Sequence, residues 1–280
     1  MLRVPITTAV LLVLLAAPAH ANAGIDNFQV DGNEATATIE LPGDLRAHLT
    51  LRFERVVGLN EQALGLSVES VDPLSPSLLG RLPNVTEFSV PSGFPVLLTI
   101  DPPVAGGLTF EGVTEIEIYT GNLQYVLATP LRLFSSSGGE LFRDITDEIS
   151  GGSYRVRGSG GTYSDFLIVA DTRTLPEAIE HKFDRLEAVF ANHDAAIDPA
   201  LAGELDAQIV AARGHWNNGN PGAAIAELRD FESSVKAGAA DDKLPNVWRS
   251  AGDLDNVAGL LRAEARTLRF SLGLAGAGLL

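Results

Sequence analysis

The chain has 280 residues and no cysteine, and its 20 basic and 36 acidic side chains give a formal net charge of -16. The missing cysteine excludes a disulfide framework, a thiolate nucleophile, a zinc ribbon and an iron–sulfur cluster. The acidic balance argues against binding to nucleic acid or to anionic membrane surfaces, because both require clustered Lys and Arg side chains.

The segment 1–23 has the layout of a secretory signal peptide. A short basic start precedes an apolar run over 9–17, and small-x-small cleavage patterns follow at 19–21 and 21–23. The apolar run is shorter than the roughly 20 residues that a spanning helix needs. We therefore predict a signal peptide, and a mature chain that is exported, periplasmic or extracellular, with no transmembrane span.

The segment 24–170 shows the period-two alternation of β-strands. Apolar residues alternate with polar ones over 35–41, 49–54, 64–68 and 115–119. Because one face of each such strand is buried and the other is wet, the sheets should be antiparallel. Further strands are expected at 25–30, 85–90, 95–100, 108–111, 124–128, 131–134, 154–157 and 166–170. Many short strands separated by turn signals predict a β-sandwich or an open barrel.

The segment 171–280 changes to a helical period. Asp198-Pro199 and Asn220-Pro221 each combine an N-capping side chain with a proline at the first helical position. Gly238 is expected to follow the end of the third helix, and a fourth helix is expected over roughly 251–272, with Leu254 on its apolar stripe. We predict an α+β protein with segregated domains, in which an antiparallel β-sandwich precedes a small antiparallel helical bundle.

Motifs for common catalytic chemistry are absent from the sequence. It contains no G-x-x-x-x-G-K-[ST], no G-x-S-x-G and no H-E-x-x-H. The four histidines of the predicted mature chain lack metal-ligand spacing. These absences favour a non-catalytic protein without a cofactor, although carboxylate enzymes have no short signature.

Two groups of acidic side chains are candidates for a site. Glu115, Glu117 and Tyr119 share one face of a strand, and they could bind a sugar or supply the paired acids of a glycan hydrolase. A solvated strand face explains the same pattern. Asp144, Asp147 and Glu148 offer the oxygen ligands that calcium prefers, without the spacing of a known calcium loop.

Parts of the sequence resemble two known groups of proteins. The first resemblance rests on three segments and is to an uncharacterised family of secreted bacterial proteins, which would cover most of the mature chain and implies no activity. Those segments are Phe142-Arg143-Asp144-Ile145-Thr146, Gly152-Ser153-Tyr154-Arg155-Val156 and 163–171. The part over roughly 200–270, with Asn218-Gly219-Asn220, Ala224, Leu228, Phe231 and Val235, is similar to the FIMAH-type helical modules of secreted bacterial proteins.

Three functions remain open at this point. The first is a non-catalytic exported protein that binds a protein or glycan partner in the envelope or outside the cell. The second is a carboxylate-based glycan hydrolase that uses Glu115 and Glu117. The third is a calcium-dependent adhesin-like module.

Overall fold

The computed structural model describes residues 24–278, so the predicted signal peptide lies outside the described residues. Antiparallel strands form most of the N-terminal part and four long helices form the C-terminal part, which confirms the predicted α+β fold. The strands are β1 Ile25–Asp31, β2 Glu34–Leu41, β3 Leu45–Val57, β4 Leu66–Ser70, β5 Phe88–Ser89, β6 Val96–Ile100, β7 Thr109–Thr120, β8 Leu131–Ser136, β9 Arg143–Asp144, β10 Thr146–Ser150, β11 Tyr154–Gly160, β12 Asp165–Asp171 and β13 Val247–Arg249. The helices are α1 Glu61–Leu64, α2 Pro76–Leu79, α3 Leu175–His193, α4 Pro199–Asn217, α5 Pro221–Ala240 and α6 Val257–Gly276.

The strands form two sheets that pack face to face. Sheet A has the order β1-β2-β3-β7-β11-β10, and β13 also pairs with β7. Sheet B has the order β4-β6-β12-β8-β9, and β5 pairs with β12. Alternate side chains of both sheets, such as Leu49 and Ile116 from sheet A and Leu98 and Ile168 from sheet B, fill one core. The predicted alternation is therefore the alternation between this core and the outer faces.

The long helices begin where capping residues predict. Asp198 accepts hydrogen bonds from the backbone of the first turn of α4, and Asn220 does the same for α5. Thr174 and Glu177 form a reciprocal capping box at the start of α3. Each cap satisfies backbone N–H groups that have no partner within the helix.

Three local predictions are wrong. Residues 124–128 form a loop instead of a strand, and Ala128 in that loop has a φ of 58°, which lies outside the extended region of a regular strand. Gly238 does not follow α5 but lies inside it. The glycine is explained by packing, since a Cβ atom there would sit 2.3 Å from the Leu201 side chain of α4. The last helix begins at Val257, and Leu254 precedes it with 41 % of its surface exposed.

Strand β13 joins the helical region back to the sandwich. Trp248 stacks on Phe110 at 5.2 Å between ring centroids and meets Tyr163 edge-on at 4.8 Å. The segment just before α6 therefore belongs to sheet A, although it follows three helices in the chain.

Helix α6 lies between the sandwich and the other helices and has three different faces. Leu261, Ala265, Leu268 and Leu272 pack in the helical core. A second face, formed by Arg262, Arg266 and Arg269, makes ion pairs with carboxylates of β3, β7 and α5. The third face consists of Glu264, Thr267 and Ser271, which contact Arg or Lys side chains of α3. Each face repeats every three or four residues, as the helical period requires.

Candidate ligand-binding site

A cavity of about 420 Å³ opens where the sandwich meets α3 and α6. Its wall is mostly apolar and is built from the loop before β8, from β10, and from the start of α3 and the end of α6. The apolar lining includes Ala128, Pro130, Ile149, Leu175, Phe270 and Leu274. Small-molecule sites are typically clefts of about 300–1,000 Å³ with apolar walls and a few placed polar groups.

Asp144 lines this cavity and forms a buried ion pair with Lys182. The Lys182 Nζ atom is 2.6 Å from an Asp144 carboxylate oxygen, and it donates hydrogen bonds to the Thr267 and Ser271 hydroxyl oxygens at 2.8 and 2.9 Å. Burial alone would raise the pKa of Asp144, but Lys182 and then Arg132 hold that pKa below its ordinary value. The carboxylate is therefore ionised, and the pair joins β9 to α3 and α6.

Arg132 brings a second positive charge near Asp144 and lines the cavity itself. Its Nη1 atom donates to the carbonyl oxygens of Thr129 and Leu131, at 2.6 and 2.8 Å, and its guanidinium lies 5.6 Å from the centre of the Phe270 ring. Across residues 24–278, it is the one half-buried Arg or Lys side chain with no carboxylate within ion-pair distance. Lys182 and Arg132 thus both act on the Asp144 carboxylate, and Lys182 is the one paired with it.

The wall beside α3 adds no net charge. Arg173 forms a bidentate contact with Asp171, with nitrogen–oxygen distances of 3.0 and 2.7 Å. The Arg173 guanidinium also covers the Phe88 ring at 4.7 Å. With Arg173 paired to Asp171 and Asp144 paired to Lys182, the cation of the lining that has no ion-pair partner among the described residues is Arg132.

The predicted sugar-binding residues lie on the outer face of sheet A but have different partners. Glu115 binds Arg266 of α6 at 2.8 Å. Glu117 binds Arg155 at 2.9 Å and Arg52 at 3.5 Å. Tyr119 stacks between the His48 ring and the Arg155 guanidinium. Both carboxylates of the predicted hydrolytic pair are held in ion pairs, and α6 lies over Glu115.

The predicted calcium ligands do not converge. Asp144 binds Lys182, Asp147 accepts a hydrogen bond from Ser159, and Glu148 binds Arg157. Within the part of the chain that the structure describes, no group of three or more His, Asp or Glu side chains is arranged to hold a metal ion.

Three of the predicted residues, taken from both groups, line one groove. Glu115, Asp147 and Glu148 line a second, polar groove of about 480 Å³ beside α6, and Phe270 lines both this groove and the first cavity. Asp147 occupies an irregularity in the pairing of β10 with β11, and bulges of this kind redirect side chains. Burial raises the pKa of Asp147 to about 7, against the hydrogen bond from Ser159 and the attraction of Arg266.

Sequence reasoning misses Arg132 and the arginine stripe of α6. The stripe has a detectable signal, because Arg262, Arg266 and Arg269 recur at helical spacing. Arg132 has no such signal, since it is a single cation in a strand and its importance depends on which charges surround it.

Comparison with known proteins gives a family without an assigned activity. A model described as a family of unknown function (DUF6689) matches residues 9–275. No curated protein matches the chain. Among residues 24–278, no helix combines the length and the apolar character needed to cross a bilayer.

Proposed function

We propose a binding function for this chain, which belongs to the DUF6689 family of unknown function. The ligand is a small amphipathic anion with an apolar body and one carboxylate or phosphate group. It occupies the cavity between the sandwich and the helices. The observation that carries the proposal is Arg132, a half-buried cation that lines a mostly apolar cavity and has no carboxylate within ion-pair distance among the described residues.

The charge of Arg132 favours an anion over a neutral ligand. A partly buried charge is costly unless an opposite charge accompanies it. Lys182 is already matched by Asp144, so the charge left over is that of Arg132. Within the described residues, neither the Nε nor the Nη2 atom of Arg132 has a protein acceptor. A ligand oxygen could accept from both atoms, as carboxylates and phosphates commonly do with arginine.

The lining of the cavity favours an apolar body on that anion. Phe270, Leu274, Leu175 and Ile149 come from separate elements and converge on the same space. An apolar group that leaves water for this space gains about 25 cal/mol per Å² of buried apolar surface. A chain of about ten carbons lies well within the size class of such cavities.

The setting of this function is also part of the proposal. The signal-peptide pattern over 1–23 supports export to the periplasm or the medium. A bacterial origin and a likeness of the helical region to FIMAH modules stay predictions from the sequence. A protein or glycan partner in the envelope stays a prediction as well. The ion pairs of Glu115 and Glu117 support binding over hydrolysis.

The experiment is a thermal-shift measurement on the full mature chain with decanoate and with decanol, which differ in the anionic group. At 100 times its dissociation constant, a bound ligand adds about 2.7 kcal/mol to the free energy of unfolding. We expect decanoate to raise the melting temperature and decanol to raise it far less. Arg132→Gln should weaken decanoate binding about tenfold or more, since a hydrogen bond to a charged group contributes about 1.5–3 kcal/mol.

Arg46→Gln is the matched control, because Arg46 is an exposed arginine without an ion pair among the described residues. It should bind decanoate like the unchanged protein. Equal shifts with decanoate and decanol would contradict the proposal. So would an Arg132→Gln protein that binds decanoate normally.

A further inference from the structure

Two uncharged stretches of the chain meet at the mouth of the cavity. No charged residue occurs over 118–131 or over 270–280, although 20 % of all residues are charged. The loop before β8 contributes Tyr125, Ala128 and Thr129 to the cavity wall, and the end of α6 contributes Phe270 and Leu274. We call residues 121–131 and 270–278 together the apolar collar.

The tip of the apolar collar exposes large apolar side chains. Val126 has 55 % of its surface exposed and Leu127 has 72 %. Ala128 follows them with a φ of 58°, a conformation that side chains other than glycine rarely adopt. Gly273, Gly276 and Ala277 are exposed on the other side of the collar. Exposed apolar surface beside a cavity mouth marks a site of contact with another apolar body.

The absence of charge in the apolar collar indicates which kind of partner it can contact. The chain has a net charge of -16, and the apolar collar contains none of its charges. A strongly cationic or anionic partner would therefore find no complementary charge there. A neutral bilayer needs none, and it accepts Leu and Val side chains below a tyrosine at the level of the headgroups. Tyr125 directly precedes Val126 and Leu127 in the sequence.

We propose that the apolar collar docks on the surface of a neutral lipid bilayer and places the mouth of the cavity against it. The reason for docking rests on the proposed function, since an amphipathic anion of the proposed kind partitions into a bilayer surface. The protein would then exchange its ligand with the bilayer without passing the apolar body through water. Docking is peripheral, with Val126 and Leu127 entering the interfacial region.

The experiment is flotation of the full mature chain with phosphatidylcholine vesicles. We expect the unchanged protein to float with the vesicles. Val126→Ser/Leu127→Ser should reduce its partition at least about tenfold, because both apolar side chains would be lost from the interface. Adding phosphatidylglycerol should not improve binding, because the protein and the lipid would then both be negative.

Val57→Ser/Val104→Ser is the matched control. These valines are 72 % and 71 % exposed, and they lie near the Thr109 end of β7, whereas the collar loop follows Thr120 at its other end. The control should float like the unchanged protein. Normal flotation of Val126→Ser/Leu127→Ser would overturn the inference, as would flotation only with anionic vesicles or no flotation at all.

The two proposals fail in different ways. Val126→Ser/Leu127→Ser should keep the full thermal shift with decanoate, and Arg132→Gln should keep normal flotation. A protein that binds decanoate but does not float refutes the docking surface alone. A protein that floats but shows no decanoate shift refutes the ligand class alone.

Discussion

At Asp147, an irregularity in the strand pairing turns a carboxyl group towards Arg266 and Ser159. Its Oδ1 atom is buried without a hydrogen-bond partner in the described structure, and burial raises the pKa of the group to about 7 from 3.8. The folded protein therefore binds a proton at Asp147 between about pH 4 and 7 that the unfolded chain releases. The contribution of Asp147 to the free energy of unfolding is therefore greatest below about pH 4 and is lost as the pH rises through 7.

Asp147→Asn should remove this pH dependence, since asparagine imitates the protonated acid. We expect the melting temperature of the unchanged protein to fall between pH 5 and 8 relative to that of Asp147→Asn. Each unit of pKa shift corresponds to about 1.4 kcal/mol. The measurement is a series of thermal melts across that range. The control is Glu148→Gln, which changes the exposed neighbour and should retain the normal pH profile. A parallel decline of Asp147→Asn and the unchanged protein would contradict the assignment.

At the scale of elements, helix α6 docks on sheet A through glycines. A Cβ atom at Gly161 would lie 2.4 Å from the backbone nitrogen of Leu260, and one at Gly259 would lie 2.5 Å from the carbonyl oxygen of Gly112. Asn256 caps the helix by accepting from the Gly259 N–H, and its amide also donates to the Gly112 oxygen at 2.6 Å. The start of α6 therefore touches the sheet through backbone atoms, which cannot move aside as a side chain could.

Gly161→Ala should destabilise the protein by about 1–3 kcal/mol, the usual cost of overpacking a closely packed contact. Gly203→Ala is the control, because Gly203 is exposed in α4 and has nothing within 4 Å of the added atom. That change should stabilise the protein slightly, since alanine favours a helix over glycine. Urea unfolding of both variants measures the difference. Equal stability of Gly161→Ala and the unchanged protein would show that α6 can shift freely on the sheet.

The elements divide clearly into those that the sequence predicts and those that it does not. Strands with a half-buried face and helices with a cap and a proline are found, because their signals lie within one turn or one strand. Strand β13 is missed because three residues are too few to show a period, and Trp248 is placed by Phe110 and Tyr163 from the distant sandwich. The cavity is missed for the same reason, since Arg132, Asp144 and the Lys182 side chain that pairs with Asp144 come from three elements.

At the scale of the whole molecule, the sandwich and the helices share one interface instead of a linker. Arg262 of α6 binds Glu54 of β3 through two nitrogen–oxygen contacts of 2.8 and 2.6 Å. Lys182 of α3 binds Asp144 of β9, and β13 pairs with β7. These contacts join both regions at separate points. The two regions should therefore unfold together.

Trp216→Phe makes this testable, because the chain has two tryptophans. Trp248 then remains as a fluorescence reporter inside the sandwich, while far-ultraviolet circular dichroism at the helix band follows the helices. We expect the two unfolding curves to have the same midpoint, which is the mark of a single cooperative transition. Fluorescence that changes at a clearly different temperature from the helix signal would instead show two independent units.

The position of β13 in the chain also sets the order in which the molecule can be completed during its synthesis. Strand β7 ends at Thr120, whereas the strand that covers its first residues spans Val247–Arg249. A growing chain leaves the ribosome from its N-terminus, so sheet A lacks its last strand and its contact with α6 until Val247–Arg249 and Val257–Gly276 have been made. Contacts between such distant residues form slowly. The nascent sandwich therefore exposes the uncovered edge of β7 while residues 121–246 are being made. A chaperone that binds exposed apolar surface could act in that period.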